Sequence, residues 1–141
     1  MIYFISDTHF GHANIVKMCE RPYPDVEAMN EALITAWNER VHGDDTVYII
    51  GDMFFRCSDP EFILKRLKGK KWLIVGNHDG SWMDKVDLNH YFVSVDNYLE
   101  TTDGVHGMTI CHYPLLAWKN AGRTYMVHGH IHADTNSDYW P

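Results

Sequence analysis

Residues 2–12, Ile-Tyr-Phe-Ile-Ser-Asp-Thr-His-Phe-Gly-His, open with a β-branched and aromatic run that ends abruptly in an acid and an imidazole. A run of this kind, closed by polar residues, reads as a buried strand, and residues just past its carboxyl end fall where open α/β sheets gather their ligands. The pattern recurs outward along the chain. Residues 46–50 lead into Gly51-Asp52, and residues 72–75 into Gly76-Asn77-His78-Asp79. Residues 108–112 finish on His112, and residues 125–128 lead into Gly129-His130-Ile131-His132. A sixth strand is expected over residues 91–95. Between the strands, residues 25–41 carry Val26, Met29, Leu33, Ala36 and Trp37 on one helical stripe, with Asp25 placed to cap the start. Residues 59–67 repeat the design, with Asp59 as N-cap, Pro60 at the first helical position and Phe62, Ile63 and Leu67 toward the core. A shorter helix is expected over residues 81–86. Strands alternating with helices in the first half predict α/β layering, and the strand-rich second half allows antiparallel additions and a second sheet.

Composition narrows the function classes. With 45% hydrophobic and 22% charged residues in 141, the chain can build one domain with a real core, and disordered, collagen-like and coiled-coil readings fail. No apolar stretch approaches the roughly 20 residues that cross a bilayer, and the start lacks a secretory pattern, so the expectation is a cytoplasmic protein with no membrane partner. Twelve Lys plus Arg against nineteen Asp plus Glu leave a formal charge of -7, which opposes general coating of nucleic acid. Cys19, Cys57 and Cys111 are odd in number and far apart, so neither a disulfide framework nor a thiolate zinc site is indicated.

The ten histidines are concentrated at the strand ends. Alternation at Asp7 and His9, and at His130 and His132, is expected to put each pair on one side of an extended backbone. A glycine precedes Asp52, Asn77 and His130, which permits tight turns and close backbone approach. Carboxylate and amide oxygens mixed with imidazoles, without a thiolate, suit Mn, Fe, Zn or Ni. A bridging carboxylate would serve two ions, and two divalent cations would let an acidic protein hold an anion.

These blocks in this order resemble the calcineurin-like metallophosphoesterases, whose pattern is DxH, GDxx, GNH[D/E], a lone H and GHxH. They stand here as Asp7-Thr8-His9, Gly51-Asp52-Met53-Phe54, Gly76-Asn77-His78-Asp79, His112 and Gly129-His130-Ile131-His132. The opening SDTHFGHANI, and His112-Tyr113-Pro114, are similar to a branch of small phosphoesterases found in bacteria and phage. The resemblance implies an αββα sandwich of two mixed β-sheets flanked by helices, formed by residues 1–141 as a single domain. It implies that Asp7, His9 and His132 bind one metal, that Asn77, His112 and His130 bind the other, and that Asp52 bridges them. His78 is then the catalytic residue that meets substrate rather than metal. The implied reaction is phosphoester hydrolysis by in-line attack of a metal-bound hydroxide, with two divalent or mixed-valence ions among Mn, Fe, Zn and Ni, manganese foremost. Some relatives orient this histidine with a carboxylate three residues after the bridging aspartate. Here that position is Phe55, which leaves Asp79 as the substitute candidate.

Around this set, Arg56, His12 and Asn14 are the candidates for substrate contact; a guanidinium suits phosphate recognition. His128 reads as a non-ligand, and His42, His90 and His106 as solvated or structural. Trp72, Trp82, Trp118 and Tyr113 are candidates for a base-stacking wall, although core or rim placement is commoner for aromatics. Cys111 is expected on the strand face opposite His112. The basic run of residues 65–71 reads first as a solvated helix end and second as an anion-steering patch. A small phosphodiester is the expected substrate, with a nuclease or RNA-end phosphatase as the alternative. A noncatalytic scaffold has no evident use for the full ligand set. The chain stops at Pro141, soon after His132, where relatives of this branch continue with further strands. An exposed sheet edge there would invite a homodimer.

Overall fold

In a computed structural model, residues 1–131 are described; His132 and the closing segment to Pro141 lie outside the described residues. Strands β1 (Ile2–Ile5), β2 (Thr46–Ile50), β3 (Lys70–Ile74) and β4 (Phe92–Asp96) form a sheet in that order, every neighbouring pair parallel. A second sheet holds β5 (Tyr98–Thr102), β6 (Gly107–Cys111) and β7 (Tyr125–Val127), with β5 antiparallel and β7 parallel to β6. The helices are α1 (Ala13–Met18), α2 (Val26–Arg40), α3 (Pro60–Leu64), α4 (Gly80–Met83) and α5 (Leu88–Tyr91). Two sheets flanked by helices are as expected; the mixing of strand directions is confined to the smaller sheet. No helix among the described residues is long and apolar enough to cross a membrane.

Strand β2 shows why its sequence is continuously apolar. Val47 and Ile49 join the core under the helices with Ile34, Trp37, Ile63, Leu64 and Leu73, whereas Tyr48 and Ile50 join Ile74, Met108 and Ile110 between the sheets. A strand covered on both faces has no polar side to alternate with. Parallel order has a functional consequence: β1, β2 and β3 all release their chains at the same edge, so the loops after Ile5, Ile50 and Ile74 meet there.

Several local expectations need correction. Asp25 does cap α2, accepting from the Ala28 amide at 2.7 Å, and Leu33 packs half-buried against the core as expected, but the buried residues are Met29, Ile34 and Trp37, and Ala36 is exposed. The Trp37 indole donates to the Lys68 carbonyl at 2.9 Å, and Ile34, one turn before it on the same face, is buried in the same core cluster. Asp59 and Pro60 start α3 as expected, yet Phe62 is exposed beneath the Arg66 guanidinium, whose carbon lies 5.1 Å from the ring centre. The basic run is not one solvated surface. Arg66 pairs with both oxygens of Glu31, and Lys71 is buried with its ammonium donating to the Leu67 and Gly69 carbonyls at 2.8 and 3.1 Å.

Candidate metal centre

Beyond β1 and β2 the two chains continue side by side without regular strand geometry. The amides of Asp7, His9 and Phe10 donate to the carbonyls of Gly51, Asp52 and Met53 at 3.1, 3.1 and 2.8 Å. Asp7, His9, Asp52 and His130 all hold left-handed backbone, with φ of 53°, 51°, 51° and 72°. Such conformations cost roughly 1–3 kcal/mol each outside glycine and persist only where the surroundings enforce them. The expected extended alternation at Asp7 and His9 therefore does not occur. Each side chain is aimed separately by a turned backbone residue, and the two loops are held in register by their hydrogen bonds. His130 is turned in the same way; its expected partner His132 lies outside the described residues. Arg21 locks the first turn, its guanidinium donating to the carbonyls of Asp7 and Thr8, each at 2.7 Å. A single arginine in a loop has no spacing signal, so sequence reasoning did not find it.

The turned loops bring ligand atoms of Asp7, His9 and Asp52 within 4.8 Å of one another, and those of Asp52, His112 and His130 likewise. Asp52 belongs to both groups. One of its carboxylate oxygens accepts from the His78 amide at 2.9 Å; the other lies 3.2 Å from Nε2 of His112 and 3.8 Å from Nε2 of His9. The fully buried His112 places Nδ1 2.8 Å from the Ile50 carbonyl. A carbonyl only accepts, so Nδ1 carries the proton. Nε2 then turns toward two oxygens, that of Asp52 and Oδ1 of Asn77 at 3.0 Å. Two oxygens and an imidazole nitrogen facing one point are joined by a proton on Nε2 or by a cation that replaces it, and the mixed oxygen and nitrogen donors fit a hard or borderline metal. Burial raises the Asp52 pKa, but hydrogen bonds from His112 and the His78 amide outweigh it, and the carboxyl sits below its usual value. Burial pulls His112 down, but Asp52 and the Ile50 carbonyl hold it above its usual value. The amide of His130 closes the ring by donating to Asp7 Oδ2 at 3.0 Å.

Asp79 is not the partner of the His78 imidazole that the sequence offered it as. It is fully buried, and its carboxylate accepts from the amides of Asp52, Gly76 and Met53 at 2.8, 2.8 and 2.9 Å and from the Trp82 indole at 2.8 Å. It therefore ties the loop after β2 to the loop after β3. Burial raises its pKa, with these four bonds pulling the other way. Asp79→Ala would strand four buried donors, each costing about 1–3 kcal/mol, and would relieve the cost of burying a carboxylate, so a net loss of about 3–5 kcal/mol in thermal or denaturant unfolding is expected. A change within about 1 kcal/mol would refute this role. Close approach of the same loops explains Gly76, because a Cβ there would collide with the Asp52 carboxylate and amide.

A model of the calcineurin-like phosphoesterases matches residues 1–140. The chain belongs to the calcineurin-like phosphoesterase family. That family is one of metal-dependent phosphoester hydrolases. This phosphoesterase is 35% identical to an uncharacterized protein, MJ1445, of Methanocaldococcus jannaschii, over 98% of this chain and 73% of that protein. It is 26% identical to the gene 66 protein of Mycobacterium phage D29, over 94% of this chain and 78% of that one. A crystal structure of a protein of unknown function, AQ665 from Aquifex aeolicus, superposes with a TM-score of 0.66 at 31% identity, covering 81% of this chain. The phosphoesterase chain spans 61% of that solved protein's length.

Around the candidate metal centre, His78 is half-buried with its ring 4.5 Å from Phe55 and 5.7 Å from His9. Phe55 thus stands where the expected carboxylate is missing and supports the ring by packing. Arg56 is exposed, with its guanidinium carbon 5.2 Å over the Phe55 ring. His12 is buried beside His9, and Asn14 is exposed on α1. Burial first, then the neighbouring His9, His78, Arg21 and Arg56, push the His12 imidazole down to about 4. Of the four aromatics considered for a base wall, Tyr113 is exposed and meets the rings of His112 and His130 at 5.1 and 4.9 Å. Trp82 is buried core, Trp72 packs on Tyr48 and Trp118 donates to Thr124. His42 and His106 are exposed beside Asp45 and Asp103, and His128 is half-buried.

Proposed function

We propose that this chain is a dinuclear metal-dependent phosphodiesterase acting on small phosphodiesters. In this reading Asp7 and His9, with His132 from beyond the described residues, hold one ion. Asn77, His112 and His130 hold the other, Asp52 bridges, and manganese is the foremost candidate metal. The carrying observation is the Asp52 carboxylate oxygen lying 3.8 Å from Nε2 of His9 and 3.2 Å from Nε2 of His112. Ligands about 2.0–2.2 Å from a shared ion stand about 3–4 Å apart, so one oxygen at those distances from two imidazoles suits a bridge.

Bound ions would neutralise the phosphoryl oxygens and acidify a water for in-line attack. The protein's own groups do the rest. Hydrogen bonding of Nδ1 to Ile50 fixes the ring of His112 and keeps Nε2 toward the centre. His78 lies beside the ligand set and donates a proton or hydrogen bond to the oxygen on which leaving-group charge develops. Phe55 holds that imidazole upright, and the same ring carries Arg56, whose single positive charge suits a diester monoanion. Arg21 is committed to two backbone carbonyls.

Small substrates are supported by where the basic residues lie. Lys65, Arg66, Lys68, Lys70 and Lys71 precede or begin β3, at the strand end opposite the loop that carries Asn77 and His78. A strand of five residues spans about 17 Å. Positive charge there is largely screened from the site at physiological salt, where the screening length is about 8 Å.

The test is hydrolysis of bis-p-nitrophenyl phosphate and p-nitrophenyl phosphate by metal-loaded protein across Mn, Ni, Co, Zn and Mg. Manganese-dependent turnover, faster on the diester, is expected. Faster turnover of the monoester would overturn the substrate class. Faster cleavage of an oligonucleotide, with affinity falling steeply in salt, would favour the nuclease reading.

A further inference from the structure

The opening Phe10-Gly11-His12 brings a second imidazole against the first metal-ligand candidate. Gly11 has φ of +80°, and a Cβ there would meet the Cα of Cys57 at 2.7 Å, so the turn admits only glycine. Its amide is held by Asn30 Oδ1 at 3.0 Å, and the amide of His12 returns to the His9 carbonyl at 3.0 Å. The reversal folds His12 beneath His9: the rings stack at 5.2 Å, and the two Nδ1 atoms are 3.0 Å apart. His12 is 8% exposed, and its other face meets Phe55 at 4.3 Å.

Two imidazole nitrogens at 3.0 Å share one proton, so one Nδ1 donates and the other accepts. Nε2 of His9 faces carboxylate oxygens of Asp7 and Asp52 at 3.7 and 3.8 Å, which exceeds a hydrogen bond and matches ligands around one ion. If Nε2 presents its lone pair to a metal, Nδ1 of neutral His9 must carry the hydrogen, and His12 must accept it.

We infer that His12 is a positioning residue that fixes the Nδ1–H tautomer and ring orientation of His9 for metal binding, rather than a substrate contact. This rests on the metal-centre reading above. His12 does for His9 what the Ile50 carbonyl does for His112. Two of the imidazoles offered to the centre, His9 and His112, are thus each held from behind by an acceptor. Edge-to-face contacts continue from His12 through Phe55 to His78, so the acceptor also helps seat the ring that meets substrate.

Two variants separate hydrogen bonding from packing. His12→Phe keeps an aromatic ring against Phe55 but offers no acceptor. His12→Asn offers an amide oxygen close to the original Nδ1 position. Binding of Mn to each protein is measured by titration, and the tautomer of His9 is read from imidazole nitrogen NMR of the metal-free proteins. In His12→Phe, Mn affinity at one of two sites is expected to fall about 10–100-fold, the usual effect of losing a ligand's supporting partner. The Nδ1–H form of His9 is expected to lose its dominance. In His12→Asn both readouts are expected to return toward the original protein. Unchanged affinity and tautomer in folded His12→Phe would overturn the inference, as would failure of His12→Asn to restore them. Absence of Mn binding by the original protein would sink the metal-centre reading instead, while the metal-free tautomer would still decide the role of His12.

Discussion

Asp52→Asn is expected to remove both metal and turnover while leaving the fold in place. The substitution keeps the oxygen that accepts from the His78 amide, so the loop after β3 retains its anchor. What changes is the atom facing His112 and His9, where an NH2 group aimed at imidazole nitrogens replaces the carboxylate oxygen. In the proposed arrangement that atom is common to both ions, so neither is left intact. A fall of at least about 10³-fold in kcat/KM, about 4 kcal/mol of transition-state stabilisation, is expected together with loss of bound metal. Turnover and metal content close to the original protein, with a normal thermal transition, would show that Asp52 does not bridge.

His78→Ala is expected to separate chemistry from metal binding. The ring packs on Phe55 and meets His9 edge-on, and its backbone amide, not its side chain, holds Asp52. Removing the imidazole should leave metal stoichiometry unchanged and lower turnover by about 10²–10⁴, the range for a lost general acid or base. The loss should be larger for a diester with an alkoxide leaving group than for p-nitrophenolate, which leaves without a proton. Equal losses on both esters would assign His78 to transition-state hydrogen bonding alone. Metal loss equal to that of Asp52→Asn would move it into the ligand set.

The larger outline was legible because two physical signals ran together. Apolar runs marked β1, β2, β3, β4, β6 and β7, and their polar endings marked the edge where β1, β2 and β3 release their chains. Strand β5 escaped notice because Tyr98–Thr102 alternates exposed and half-buried residues and carries Glu100, so it lacks the hydrophobic weight of the central strands. The short helices α1 and α5 span six and four residues, too few for periodicity to register. Residue types at the strand ends marked a pool of ligand candidates and the family resemblance sorted them, but neither shows how the chain aims them. Left-handed backbone at Asp7, His9, Asp52 and His130 is a product of tertiary hydrogen bonding, and no local propensity announces it. The same is true of the supports. Arg21 reads as a loop arginine until its two carbonyl partners are seen, and Asp79 reads as a turn acid until four donors converge on it.

The most direct test is elemental analysis of the purified protein after reconstitution with manganese and removal of free ion. Two ions per chain in the original protein, falling below one in Asp52→Asn and staying at two in His78→Ala, is the expected result. A folded protein that retains no ion, or that retains its full complement without Asp52, would contradict a centre built around that bridging carboxylate.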